Sequence, residues 1–248
     1  MANGDCANYV WNESEGELEA SVFVTILIKH LIKVCILKLP IVIYSDGCGY
    51  QNRNSVLSNA LLHFSKAHNV QIEQKFLVKG HTQMECDSVH SLIERQSKGE
   101  DIFLPYDFVK IIKKSRKYPK PLDVELLTYK YFLDFKDYQI YRSIRPGNSK
   151  GDPEVKDVRA FKYNPTSLII EFKLLFDDIY CELPQRVKPI DTEININSYK
   201  PLYLKPIDLT LSKWEDLQKL KAVMPVDVHS FYNKLPHKKT FKTRNSKV

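Results

Sequence analysis

Apolar and polar positions along the chain alternate between two periods. Ala7 to Trp11 is short, aromatic and β-branched, which reads as a strand. Glu17 to Lys33 places Ala20, Phe23, Val24, Leu27 and Leu31 on one helical face. After Pro40, the run Ile41-Val42-Ile43-Tyr44 is continuously apolar, as in a strand buried on both faces. It ends in the polar turn Ser45-Asp46-Gly47-Cys48-Gly49. Asn54 is placed to cap a second helix, in which Leu57, Leu61 and Phe64 recur at helical spacing. Val70 to Val78 predicts a further strand. Thr82-Gln83-Met84-Glu85 has the spacing of a capping box, which predicts a helix from Gln83.

Strand and helix thus alternate three times over residues 7–97, which predicts an α/β layer with parallel pairing. Residues 102–140 read as helical, punctuated by Pro105, Pro119 and Pro121. Pro146 to Pro153 is the best linker. Val158 to Tyr163 and Ser167 to Phe176 form an expected hairpin around Asn164-Pro165. Ser212-Lys213-Trp214-Glu215 predicts a helix start, Pro225 its stop, and Asp227 to Leu235 a short last helix. The expected domains are an α/β core with trailing helices over 1–142, a linker over 143–156, an α+β appendage over 157–236 and a basic disordered tail over 237–248.

Composition narrows the class. With 248 residues, 43% hydrophobic and 27% charged, the chain is neither wholly disordered nor collagen-like. Five cysteines without a CxxC pair read as reduced thiols of an intracellular protein. The most apolar stretch, Val22 to Ile43, is interrupted by Lys29, His30, Lys33, Lys38 and Pro40, so it reads as core and not as a bilayer span.

The net charge of +7 is local in origin. Six basic residues (Lys110, Lys113, Lys114, Arg116, Lys117 and Lys120) sit within eleven positions beside Tyr118, and five more occupy the tail from His237. The remainder of the chain is therefore net acidic. The first cluster suits phosphate neutralisation with a ring for stacking, or simply a solvated helix end. The tail reads equally as a nucleic-acid arm, a nuclear-import signal or a solubilising end.

Two acidic positions carry the candidate chemistry. Asp46 ends a strand, and Asp87, His90 and Glu94 recur at i, i+3 and i+7 on one helix face, with Cys86, Val89 and Ile93 as the adjoining apolar stripe. Carboxylates at the ends of neighbouring elements suit Mg²⁺ or Mn²⁺, and two such ions would stabilise both oxygens of a phosphodiester displacement. Gly47 and Gly49 would let the backbone approach a ligand. The alternative reading is a plain loop start and a solvated helix. Zinc on Cys48, His81, Cys86 and His90 matches no usual ligand spacing. A dinucleotide fingerprint lacks its third glycine and its acidic strand end.

The string Ile43-Tyr44-Ser45-Asp46-Gly47-Cys48-Gly49-Tyr50-Gln51-Asn52-Arg53-Asn54 resembles the second-aspartate segment of a large transposase-derived family with an RNase H-like core. Lys75 to His90, with Gly80-His81-Thr82 and Cys86-Asp87-Ser88-Val89-His90, resembles its next motif, followed by Ile93-Glu94. Tyr9 to Glu13, Asp134 to Asp137 and Pro225 to Leu235 resemble further segments, so the likeness spans most of the chain.

The resemblance implies a partial RNase H-like mixed sheet flanked by helices and a DDE/DDD-type nuclease or strand-transfer site. Mg²⁺ or Mn²⁺ would lie on Asp46 and Asp87, with Glu94 the next candidate ligand. Gly47, Gly49, Gln51, Asn52, His81 and His90 match further motif positions. It implies DNA as partner, no membrane, no small-molecule substrate, and a nuclear or cytoplasmic location. In complete members the first catalytic aspartate lies on a strand upstream of the Tyr-Val-Trp segment, and only eight residues precede Tyr9. The expectation is therefore a truncated, inactive member, or alternatively a non-catalytic DNA-binding or protein-interaction module. Tyr50 also replaces an expected glycine.

Overall fold

The computed structural model describes residues 4–35, 38–78, 80, 84–184 and 194–239. The chain is an α/β protein with a mixed sheet flanked by helices. It divides into two compact units that interleave in sequence: Leu18–Thr82 with Phe132–Leu202, called the sheet unit, and Met1–Glu17, Gln83–Tyr131 and Tyr203–Val248, called the helical unit.

In the sheet unit, strand β2 (Ile41–Ser45) pairs in parallel with β3 (Ile72–Phe76), and helix α2 (Ser55–His68) connects them. Beyond β3 the pairing turns antiparallel through β5 (Ala160–Tyr163), β6 (Ile170–Lys173) and β7 (Cys181–Glu182), giving the order β2-β3-β5-β6-β7. The expected hairpin is thus present, but its first strand lies directly against β3. Phe161 and Tyr163, both fully buried, share one core with Ile72, Phe76 and the helices. Residues expected in a separate appendage therefore complete the central sheet. The reason is plain, because β5 pairs the backbone edge of β3 and its Phe161 and Tyr163 extend the apolar face of Ile72 and Phe76.

Helix α2 is the most enclosed element, buried without interruption from Leu57 to Ser65. Asn54 caps it, its side chain accepting from Leu57 N at 2.9 Å, and Asn69 closes it with a left-handed φ of 51°. Its buried polar side chains are all matched. Asn59 Oδ1 accepts from Ile140 N and Tyr141 N at 2.8 and 2.9 Å, and its Nδ2 donates to Tyr141 O at 2.8 Å. His63 Nε2 donates to Tyr138 O at 2.7 Å. These bonds hold residues 138–141 as a strap over the helix. Helix α1 (Ala20–Val34) packs beside it through Val24, Ile28 and Leu31.

Several local expectations need correction. Strand β2 is not buried on both faces: among the described residues it is hydrogen-bonded only to β3, and Val42 and Tyr44 are 46% and 58% exposed. Residues 143–156 lie within the sheet unit. Their turn is fixed by Asp152 Oδ2, which accepts from Asn148 N and Ser149 N at 2.9 and 2.8 Å. A Cβ on Gly147 would fall 1.9 Å from Asp152 Cβ, so only glycine fits that turn.

In the helical unit, β1 (Ala7–Val10) pairs in parallel with β4 (Asp123–Leu126). Helices α3 (Glu85–Ser97) and α4 (Pro105–Ser115) pack on it through Val89, Ile93, Phe108, Ile112 and Leu122. Of the helical expectation over 102–140, only α4 is an α-helix. Val124 and its neighbours pair with β1 instead, because strand pairing outweighs their helical spacing. Helices α5 (Leu211–Leu220) and α6 (His229–Asn233) form a second small core around Leu209, Val228, Tyr232 and Leu235. The cap of α5 is Thr210, accepting from Lys213 N at 3.3 Å, and not Ser212.

Candidate metal and nucleic-acid sites

Asp46 follows β2 directly and begins the loop to α2, at the carboxyl end of a parallel strand pair. Open α/β sheets bind ligands at such ends. Its Oδ1 accepts from Cys48 N at 3.1 Å and from Asn52 Nδ2 at 2.7 Å. Its Oδ2 accepts no hydrogen bond from the described residues. The neighbouring Ser45 hydroxyl is 7% exposed and likewise has no partner.

The loop is fastened to the core at two further points. Arg53 stacks on Phe76, 4.1 Å from the ring centroid, and its Nη1 donates to Lys156 O at 2.6 Å. Burial lowers the guanidinium from its ordinary range and Arg159 adds to this, while Asp157 and Asp46 oppose it. The second fastening is Gln74, which is 1% exposed on the inner face of β3. Its Nε2 donates to Asn52 O at 2.7 Å, and its Oε1 accepts from the Tyr163 hydroxyl at 3.0 Å.

The other motif residues have simpler surroundings. Gln51 Nε2 donates to the Tyr50 hydroxyl at 3.1 Å, and the Tyr50 ring meets Phe23 edge-on with centroids 5.6 Å apart. Tyr50, 47% exposed, leaves the loop open to solvent. The glycines are less constrained than expected. A Cβ on Gly47 would make ordinary contact with Arg53 at 3.7 Å, and one on Gly49 would meet nothing within 4 Å.

Asp87, His90 and Glu94 are exposed on α3, with Ile93 facing the core. Cys86 is exposed too, so it does not join the apolar stripe. Asp87 has a local task, since its Oδ2 accepts from Met84 N at 2.8 Å and thereby caps the helix. The capping pair is therefore Met84 with Asp87, and α3 starts at Glu85 where a start at Gln83 was expected. His81, with Thr82 and Gln83, lies outside the described residues.

A hard cation can be tested against this donor set. Mg²⁺ keeps several waters and needs only one or two carboxylates beside a substrate phosphate. Asp46, with one oxygen fixed, one unbonded and an orphaned hydroxyl next to it, fits one such ligand position. Asp46 belongs to the sheet unit and Asp87 to the helical unit. Among the described residues no group of three or more His, Cys, Asp or Glu side chains gathers as a metal centre.

The basic cluster divides by role. Arg116 donates through Nε to Lys120 O at 2.9 Å and through Nη1 to Gly4 O at 3.1 Å, tying the end of α4 to the segment before β1. Lys120 pairs with Asp5 at 2.8 Å, and Lys110 with Asp107 at 3.2 Å. Lys113, Lys114 and Lys117 are exposed and have no carboxylate partner among the described residues. Tyr118 beside them is 87% exposed. Among the described residues no helix is long and apolar enough to cross a membrane.

The fold defines an α/β protein whose mixed sheet places Asp46 at a strand end. Residues 2–164 match the family described as Domain of unknown function (DUF7869), and the chain belongs to that family. No curated protein and no solved structure matches the chain.

The residues that sequence patterning missed are Gln74 and Tyr163. A polar residue between Ile72 and Phe76 on the inner face of an alternating strand was the available signal.

Proposed function

We propose that this chain is a transposase-derived, RNase H-like protein that binds DNA through the basic end of α4. The observation that carries the reading is the division within the cluster. Arg116 and Lys120 are held by backbone carbonyls and carboxylates, whereas Lys113, Lys114 and Lys117 present uncompensated charge beside an exposed ring. Lysines of that kind release condensed counterions from duplex DNA, and the tyrosine offers a face for an unstacked base. Fluorescence anisotropy with a labelled duplex at low salt tests the reading: binding that weakens steeply with added salt supports it, and no binding at low salt removes it.

A second reading is favoured by the state of Asp46. One carboxylate oxygen fixed by the loop and one without a hydrogen bond from the described residues suit a DDE/DDD-type ligand for Mg²⁺ or Mn²⁺. Such an ion, when bound, would polarise a phosphodiester and activate water. The chain's own contribution is to hold the Asp46 carboxylate still. Divalent-metal-dependent cleavage that disappears in Asp46→Ala would establish this reading. Cleavage surviving that substitution would remove it.

A further inference from the structure

A fully buried primary amide is an unusual choice for the inner face of a central strand. Its amide nitrogen and its carbonyl need partners, or burial costs stability that an apolar residue would not. Gln74 occupies such a position, between Ile72 and Phe76, which are both fully buried. Its bonds run in one line. The Tyr163 hydroxyl, with Ser58 Oγ 3.2 Å away, donates to Gln74 Oε1 at 3.0 Å, and Gln74 Nε2 donates to the Asn52 carbonyl at 2.7 Å. The Asn52 side chain then donates to Asp46 Oδ1 at 2.7 Å. Four elements, α2, β5, β3 and the β2–α2 loop, thereby converge on one carboxylate oxygen, all within the sheet unit.

We infer that Gln74 is a positioning residue for the Asp46 carboxylate, holding Asn52 so that Asp46 Oδ1 stays fixed and Oδ2 remains available to a hard divalent cation. The cation half of this inference rests on the metal reading of Asp46; the positional half does not. The remaining bonds of Asn52 are local to the loop, Asn52 N donating to Cys48 O at 2.8 Å, and they would move with the loop as one piece. Gln74 ties Asn52 itself to the core, while Arg53, stacked on Phe76, fastens the next residue of the loop. Residues that orient a metal ligand from behind typically change metal affinity by about 10- to 100-fold when removed.

The test uses the full chain with two readouts: amide hydrogen exchange at Cys48, whose N–H donates to Asp46 Oδ1, and Mn²⁺ binding followed by electron paramagnetic resonance of the free ion. Gln74→Leu keeps the volume and removes both bonds. It is expected to speed Cys48 exchange about tenfold beyond any change in global stability and weaken Mn²⁺ binding about tenfold, while the β3 amides of Ile72 and Phe76 lose no more protection than the loss of global stability accounts for. Should Gln74→Leu fail to fold, Tyr163→Phe keeps the Gln74 amide, releases its carbonyl together with Ser58 Oγ, and is expected to act in the same direction. Unchanged Cys48 exchange in a folded variant overturns the positioning role. Faster Cys48 exchange in Gln74→Leu, together with Mn²⁺ binding that is absent or indifferent to Asp46→Asn, upholds the positioning role and overturns its cation half along with the metal reading.

Discussion

The side-chain amide of Asn52 donates to Asp46 Oδ1 across 2.7 Å, while the Asn52 backbone carbonyl accepts from Gln74 Nε2 across the same distance. One residue thus joins a loop carboxylate to a buried strand. Hydrogen bonds to a charged group contribute about 1.5–3 kcal/mol, and partial exposure of the loop lowers that. Asn52→Ala is expected to cost about 1 kcal/mol in urea unfolding. A neutral result would mean that the Asn52–Asp46 bond adds nothing to stability, since the Gln74 bond to the Asn52 backbone carbonyl survives the substitution.

Tyr163 and Gln74 act as a pair. Tyr163→Phe strands the buried Gln74 carbonyl, and Gln74→Leu leaves the Tyr163 hydroxyl with Ser58 Oγ as its partner, so each single change should cost about 1–3 kcal/mol, the second less than the first. The double variant leaves neither partner orphaned and should cost clearly less than the sum of the two. Strict additivity in that cycle would show the two groups to be energetically independent.

The place of β5 in the central sheet has a direct consequence. Phe161 is fully buried and meets Phe76 edge-on, with ring centroids 5.8 Å apart. Phe161→Ala should destabilise the sheet unit by about 3–5 kcal/mol. Circular dichroism on heating should show loss of the β2–β3 core itself, where a separate appendage would have melted alone.

Much of the local structure was legible in the sequence, because short-range signals produced it. Asn54 capped α2 as its position predicted, and the strands at Ile41 and Ile72 follow the apolar runs. What escaped was long-range. Nothing near Ala160 says that its strand pairs with Lys75 and not with a strand of its own domain, and nothing near Val124 says that it pairs with Asn8. The candidate sites show the same limit. Asp46 stood out as the end of an apolar strand, but the buried amide behind it depends on Tyr163, far along the chain. Asp87 was recognisable as an acidic helix position, yet its bond to Met84 N depends on where the helix begins, which the Thr82–Glu85 pattern misplaced.

Acidification should weaken the sheet unit. Burial pushes the His63 imidazole below its usual value of 6.5, against the pull of its bond to Tyr138 O and with help from Lys66. The unfolded chain therefore takes up a proton more readily than the folded one. Stability is full above pH 6.5 and falls as pH drops below it through the lowered native value. The urea midpoint should decline between pH 7.5 and 5.5. His63→Gln, which can still donate to Tyr138 O, should flatten part of that decline, the remainder belonging to His68 and His30, whose values are also lowered. A profile unchanged by His63→Gln would place the sensitivity elsewhere.

DNA binding is the central claim, and its salt dependence tests it most directly. Each phosphate contact contributes a slope of about −0.9 in log K against log salt on duplex DNA. Replacing Lys113, Lys114 and Lys117 together with Gln should weaken binding at low salt and flatten the slope by about 2 to 3. The thermal unfolding midpoint should stay unchanged, since none of the three side chains is paired. A triple variant that binds with the parental affinity and slope would mean that DNA is not held by the basic end of α4.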